Sequence, residues 1–361
     1  MSKPKHPVKL YGKLIGGHEK YDHKRYPDML RMLAAIFVIA IHTVSLAASM
    51  VPANSLQYDI LTVFVFTFIS CNQLFVMVSG ALLLPVKGER IRVFYSKRFV
   101  KVAVPLVVCY VLYIIAKNGV SAVFLQNLPG LFVRILSGAP GEAPHFWLVY
   151  VILMLYLYTP FLRYLLSHIP DGVFYGMLSV FLLIDAANTL APLFDFKAPL
   201  PVISESFVSV YLTGYFLAEK CSRKISGWII AAGSMSYLLV CLLILCTDGY
   251  ESYIFQTSPV MTFFCAAVFL LIKNREYQDK NYPFVNLVCR HSYSILLLHW
   301  GVLHFVVKQV LHVNVLSGGI VGGCILMASL TFLISLAGAI VLDNTLIAWI
   351  LSLFRKRSGQ S

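Results

Sequence analysis

A histidine in the middle of an apolar run is the first residue of this chain that asks for a chemical reason. His42 stands in Ile36-Phe-Val-Ile-Ala-Ile-His-Thr43, a stretch that gives it no amphipathic or capping role. A neutral imidazole there is a poor packing choice and a good proton acceptor, suited to general-base work. Arg31 precedes it by eleven positions, and eleven steps of about 100° return to nearly the same helical face, about 16 Å away along the axis. Asp28 lies one turn before Arg31, spaced to hold its guanidinium by an i,i+3 pair. A plainer reading has Asp28 and Arg31 anchoring a helix end while His42 hydrogen-bonds a neighbouring helix. It is as good as the functional one for Arg31 alone, and weaker for Arg31 and His42 together.

Other candidates are less sharp. Ser79 beside Gly80 lets two helices approach closely, which we favour over oxyanion donation or a nucleophilic role. His291 reads as a helix-end residue. Trp147, Tyr156 and Tyr293 fit an interfacial aromatic belt as well as a binding path. Asp185 and Glu205 are either hydroxyl-binding or simple loop polar groups. The eight cysteines show neither CxxC nor Cys/His metal spacing and read as small buried hydrophobes, so no metal is expected.

The elements that must hold these residues are membrane helices. The 361 residues are 59% hydrophobic and 12% charged, with a mean hydropathy of +0.78, whereas soluble domains carry roughly 25% charged residues. A span needs about 20 apolar residues, and the sequence predicts about ten: Met29 to Ala48, Tyr58 to Leu84, Val100 to Ile115, Phe146 to Leu166, Val173 to Leu190, Phe207 to Ala218, Ser226 to Cys246, Ser258 to Ile272, Val285 to Val307 and Gly318 to Leu342. The expected fold is an all-α integral membrane protein. A basic arm over 1–28 precedes a single polytopic unit over 29–342, and an amphipathic, basic tail covers 343–361.

The net charge of +13 would raise nucleic acid as a partner in a soluble protein. Its placement excludes that reading. Basic residues crowd the N-terminal arm and alternate loops, leaving Lys117, Arg134, Lys197 and Lys308 on the opposite side. The positive-inside rule then predicts both termini in the cytoplasm. The first span is too long, and its basic arm too extended, for a cleaved signal peptide.

Several segments together resemble the acyltransferase-3 family of membrane O-acyltransferases. Arg31-Met-Leu-Ala-Ala-Ile-Phe-Val-Ile-Ala-Ile-His42 is similar to its first-helix pattern of a basic residue, ten others and a histidine. Leu74-Phe-Val-Met-Val-Ser-Gly80 resembles its F-x-x-S-G segment through Phe75, Ser79 and Gly80. Ser96-Lys-Arg-Phe-Val-Lys-Val-Ala-Val-Pro105 resembles the basic run opening its third helix. His145-Phe-Trp147 leading to Tyr156 and Pro160, Tyr211-Leu-Thr-Gly-Tyr215, and Arg290-His-Ser-Tyr-Ser-Ile-Leu-Leu-Leu-His299 are similar to its fourth, sixth and ninth spans. Lys101 stands where the family often has a second arginine, and Leu297 where a tyrosine is common. The layout is closest to the stand-alone branch typified by the enterobacterial common antigen O-acetyltransferase.

The resemblance implies a multi-pass protein of the bacterial inner membrane that transfers an acyl group, by default acetyl, from acyl-CoA to a hydroxyl of a cell-surface or lipid-linked glycan. Arg31, Lys97, Arg98 and Lys101 would hold the donor phosphates at the inner face, where guanidinium forks suit phosphate better than a lysine does. His42 would be the base, with an acyl-histidine intermediate left open. Asp28, Phe75, Ser79, Gly80, Trp147, Tyr293 and His299 would give substrate or structural support. The competing class is a transporter or flippase of glycan or lipid-linked precursors, although the spans lack a matched pair of Gly/Pro-interrupted helices.

Overall fold

A computed structural model describes residues 25–53, 55–85, 88–120, 130, 133, 135–137, 141, 143–194, 196–197, 206–246, 257–277 and 282–358. Most of the N-terminal arm, most of the long connection after residue 117, and Glu205 lie outside them.

Pro27 stands in the first turn of α1 (Tyr26–Ala48), where its missing N–H costs nothing. Ser55 caps α2 (Leu56–Leu83) by accepting from the Tyr58 N–H. Then come α3 (Ile91–Asn118), a 3₁₀ turn (Pro144–Phe146), α4 (Trp147–His168) and α5 (Asp171–Leu190). Helix α6 (Val208–Tyr215) passes into a π-helical end (Phe216–Lys220) and is followed by α7 (Arg223–Cys246). Ser258 caps α8 (Pro259–Lys273). Helix α9 (Pro283–Gly301) continues as a π segment (Val302–Val310). Helix α10 (Ile320–Leu342) continues through a third π segment (Asp343–Ile347) into α11 (Ala348–Ser358).

Among the described residues eight helices are long and apolar enough to cross a membrane and no strand occurs, so the chain is an all-α integral membrane protein. Two of the ten expected spans form helices close to their expected bounds but too short to cross a membrane by length. Helix α6 with its π end is 13 residues, about 20 Å at 1.5 Å per residue, and α8 is 15 residues. Both fall short of a hydrocarbon layer of about 30 Å. A third difference matters for the site: α3 starts nine residues earlier than its apolar run, so Lys97 and Arg98 stand on a helix rather than in a loop, with Lys101 on the same helix as expected.

Helices α1 and α2 form the centre, α1 packing on α2, α8, α9 and α10, and α2 on α6, α7 and α8. The crossing of α2 and α6 is closed by two glycines. A Cβ at Gly80 would sit on the carbonyl of Tyr211, and one at Gly214 on the carbonyl of Met77. That approach leaves Val210, Tyr211 and Leu212 fully buried. The close-packing reading of Ser79 and Gly80 fits this geometry, and the Ser79 hydroxyl bonds back to the Phe75 carbonyl at 2.8 Å.

One end of the bundle gathers the starts of α1, α3 and α9 and the ends of α2, α4 and α10. Cross-links mark it: Arg25 to Asn286 at 3.5 Å, Arg163 Nε to the Leu83 carbonyl at 2.7 Å, and the Cys289 thiol to the Asp28 carbonyl at 2.7 Å. We call this the basic end.

Candidate active site

Helix α1 carries His42 away from the basic end to a cluster of imidazoles from three separate segments. The His42 ring stacks on His299 of α9 at 5.1 Å between centroids and meets Trp300 edge-on at 4.9 Å. His145, from the 3₁₀ turn before α4, meets His299 edge-on at 5.1 Å and stacks on Trp300 at 5.8 Å. His304 lies 4.1 Å beyond Trp300. His299 is 0% exposed and His145 8%, while His42 is half-buried.

Backbone carbonyls set the proton positions on two of these rings. A carbonyl can only accept, so Nδ1 of His299, 2.7 Å from the Leu296 oxygen, carries the hydrogen. Its Nε2 is then a lone pair, and it is buried without a partner. Nε2 of His145 faces the Leu297 oxygen at 3.1 Å and so carries the hydrogen, leaving Nδ1 as a second buried lone pair without a partner.

Tyr113 of α3 ties the cluster together. Its hydroxyl donates to the Leu297 carbonyl at 2.9 Å and accepts from the Gly301 N–H at 2.7 Å. In an ordinary α-helix those two groups would bond each other, so the phenol is inserted into the ladder of α9 where the helix turns from α to π. Gly301 permits this, because a Cβ there would lie 3.1 Å from the Tyr113 ring. Side-chain insertion and π segments recur where helices are bent for function.

At the basic end Arg31 pairs with Asp28 at 3.9 Å. Arg98 of α3 is half-buried, and its charge and that of Arg31 both act electrostatically on Tyr156, as that of Arg98 does on Tyr211. Nε of Arg98 is buried with no hydrogen-bond partner. Tyr211 in turn bonds Thr159 at 2.8 Å. Lys97, one helical step away, faces outward, is 61% exposed and pairs with Glu89 at 4.0 Å.

The family described as an acyltransferase domain, acyltransferase-3, matches residues 24–343. The chain belongs to the acyltransferase-3 family. It is therefore an acyltransferase held in the membrane by several helices. No curated protein and no solved structure gives a significant match.

Within this acyltransferase-3 chain, the structure brings His42 and His299 together and sets Arg31 and Arg98 within electrostatic range of Tyr156, but other expected site residues stand apart. Trp147 packs on Phe207 at 5.8 Å, because two residues on from His145 the helix has turned it away from the cluster. Tyr293 donates to the Val102 carbonyl at 2.9 Å, joining α9 to α3. Phe75 is buried in the core, and Lys101 is half-buried on α3. His291 is inside the protein, bonded to Asp343, whose other oxygen accepts from Ser294. Asp185 is 1% exposed and on a helix, which corrects its reading as a loop residue. His145, Trp300, His304 and Tyr113 had no assigned role in the sequence. Trp300 and His304 stand four residues apart, a spacing that puts them on one helical face.

The described residues hold no group of three or more His, Cys, Asp or Glu arranged for a metal. The imidazoles are disposed for moving a proton and for nucleophilic attack, and the guanidiniums for holding an anion.

Proposed function

We propose that this acyltransferase takes an acyl group, acetyl by resemblance, from cytoplasmic acyl-CoA and transfers it to a hydroxyl of a cell-surface or lipid-linked glycan at a bacterial inner membrane. The observation that carries the reading is a single helix, α1, joining two chemically distinct places. Its basic end holds Arg31, whose charge, like that of the half-buried Arg98, acts on Tyr156. About 16 Å further along the axis it places His42 against His299.

A nucleoside polyphosphate with a long, slender thioester arm matches that separation. Its phosphates would meet Arg31 and Arg98, both able to bind phosphate oxygens through planar forks. The arm would run along α1 and deliver the thioester carbon to His42. The glycan would approach from the opposite end, past Trp300 and His304. Imidazole acting on a hydroxyl supplies about 10² to 10⁴-fold in rate.

Purified protein supplied with labelled acetyl-CoA is the test. Release of free CoA that depends on the protein, and that weakens when Arg31 or Arg98 becomes Ala through a raised KM, is the expected result. Release at the rate of buffer alone would remove acyl-CoA as the donor.

A further inference from the structure

We propose that the transfer runs in two steps shared between two histidines, His42 receiving the acyl group from the donor and His299 acting as the base that activates the acceptor. The proposal rests on the acyl-CoA reading above and deepens it by dividing the site into a donor-facing and an acceptor-facing imidazole.

Three observations support the division. His299 has its proton fixed on Nδ1 by the Leu296 carbonyl at 2.7 Å. Its Nε2 is an acceptor buried with no partner, in a residue 0% exposed. A buried acceptor left unpaired costs roughly 1–3 kcal/mol, which a ligand hydroxyl donating to it would offset. His299 is also the ring stacked on His42, at 5.1 Å. His145 has an unpartnered nitrogen too, but its ring stacks on Trp300 and meets His299 by its edge.

The chemistry balances without any further reactant. In the first step a nitrogen lone pair of His42 attacks the thioester carbon, the C–S bond breaks, and the CoA thiolate leaves with the proton given up by the acylated ring. In the second, the acceptor hydroxyl donates to Nε2 of His299 and its oxygen attacks the acyl carbon. The hydroxyl proton passes to His299 as the C–N bond to His42 breaks. The departing His42 nitrogen then takes that proton from His299, and both rings return neutral. Ring centroids 5.1 Å apart keep both imidazoles at one bound acceptor, the giver and the taker of that proton.

The test uses full-length protein and [¹⁴C]acetyl-CoA with no glycan present, so that water is the only acceptor hydroxyl. His299→Asn keeps a donor where Nδ1 stood, for the Leu296 carbonyl, and removes Nε2. His299→Ala opens the site to added imidazole, and each variant is first checked for a monodisperse peak in detergent. Expected are a burst approaching one CoA per chain in the wild type and in His299→Asn, label bound to the protein and lost to hydroxylamine, and neither in His42→Ala. The label should survive at least about tenfold longer in His299→Asn, in line with the loss of general-base help. Imidazole should restore discharge in His299→Ala.

The inference is overturned if His299→Asn loses the burst, if it discharges at the wild-type rate, if imidazole restores nothing, or if label never appears on protein that is turning over acetyl-CoA. A wild type that releases no CoA at all would instead fell the acyl-CoA reading on which the inference stands.

Discussion

Replacing His42 by Ala removes the imidazole facing His299 while leaving a half-buried helix face that loses little packing. Acyl transfer should fall by about 10² to 10⁴-fold, with membrane insertion and expression unchanged; transfer near the wild-type rate would take His42 out of the mechanism. The two neighbouring cations of α3 should part company. Arg98→Ala should raise the KM for acetyl-CoA by roughly tenfold or more, the scale of a lost charge-assisted hydrogen bond. Lys97→Ala should change it little, because that ammonium is 61% exposed and turned to Glu89; equal effects of the two would show that only net charge at this end matters. His42 and Arg31 were legible in the sequence because both lie on one helix and the 3.6-residue period relates them. His145 and His299 were legible as family motifs but not as neighbours, since they come from separate segments, and no local spacing reports that their rings meet. Trp300 was hidden for another reason: an aromatic residue near a span end carries the same signature as an interfacial belt.

Helix α6 depends on two places where a side chain is absent. Valine at Gly80 or Gly214 would drive a branched Cβ into the carbonyl of Tyr211 or Met77. Overpacking of this kind costs about 1–3 kcal/mol or more, and both variants should show a lower melting temperature in detergent than Gly176→Val, whose Cβ would meet nothing within 4 Å. Equal melting of all three would mean that the α2–α6 crossing relaxes at no cost. Eight of the helices were readable from length and apolarity alone. The short bounds of α6 and α8 were readable too, at Phe207 to Ala218 and Ser258 to Ile272, but an apolar stretch looks the same whether it ends at lipid headgroups or inside the bundle, so both were counted as spans. The early start of α3 was hidden by its charges: Arg92, Lys97, Arg98 and Lys101 interrupt the apolar run without interrupting the helix.

For the molecule as a whole, charge placement predicts that Cys221, beside Lys220, Arg223 and Lys224, faces the cytoplasm, and that Cys246, at the far end of α7, faces outward. In backgrounds retaining one or the other thiol, an impermeant maleimide added to sealed cells should modify Cys246 and spare Cys221, which should react only after the membrane is opened. Labelling of Cys221 from outside would reverse the direction in which donor and acceptor enter. Sidedness is an expectation that rests on lysine and arginine placement during insertion, whereas the joining of the two ends of the protein is a matter of packing. That joining has a consequence. Tyr113 stands fifteen residues, about 22 Å along α3, from Arg98, and its hydroxyl replaces one main-chain bond of the helix that carries His299. On the proposed reading, the donor's end and the joint that carries the acceptor base are thus tied to one helix, α3, by a phenol. In Tyr113→Phe the joint is free to close into an ordinary helical turn, and the enzyme should still bind acetyl-CoA with near-normal affinity but lose turnover by about tenfold or more, the cost of a misplaced reacting group; unchanged turnover would show that the two ends act independently.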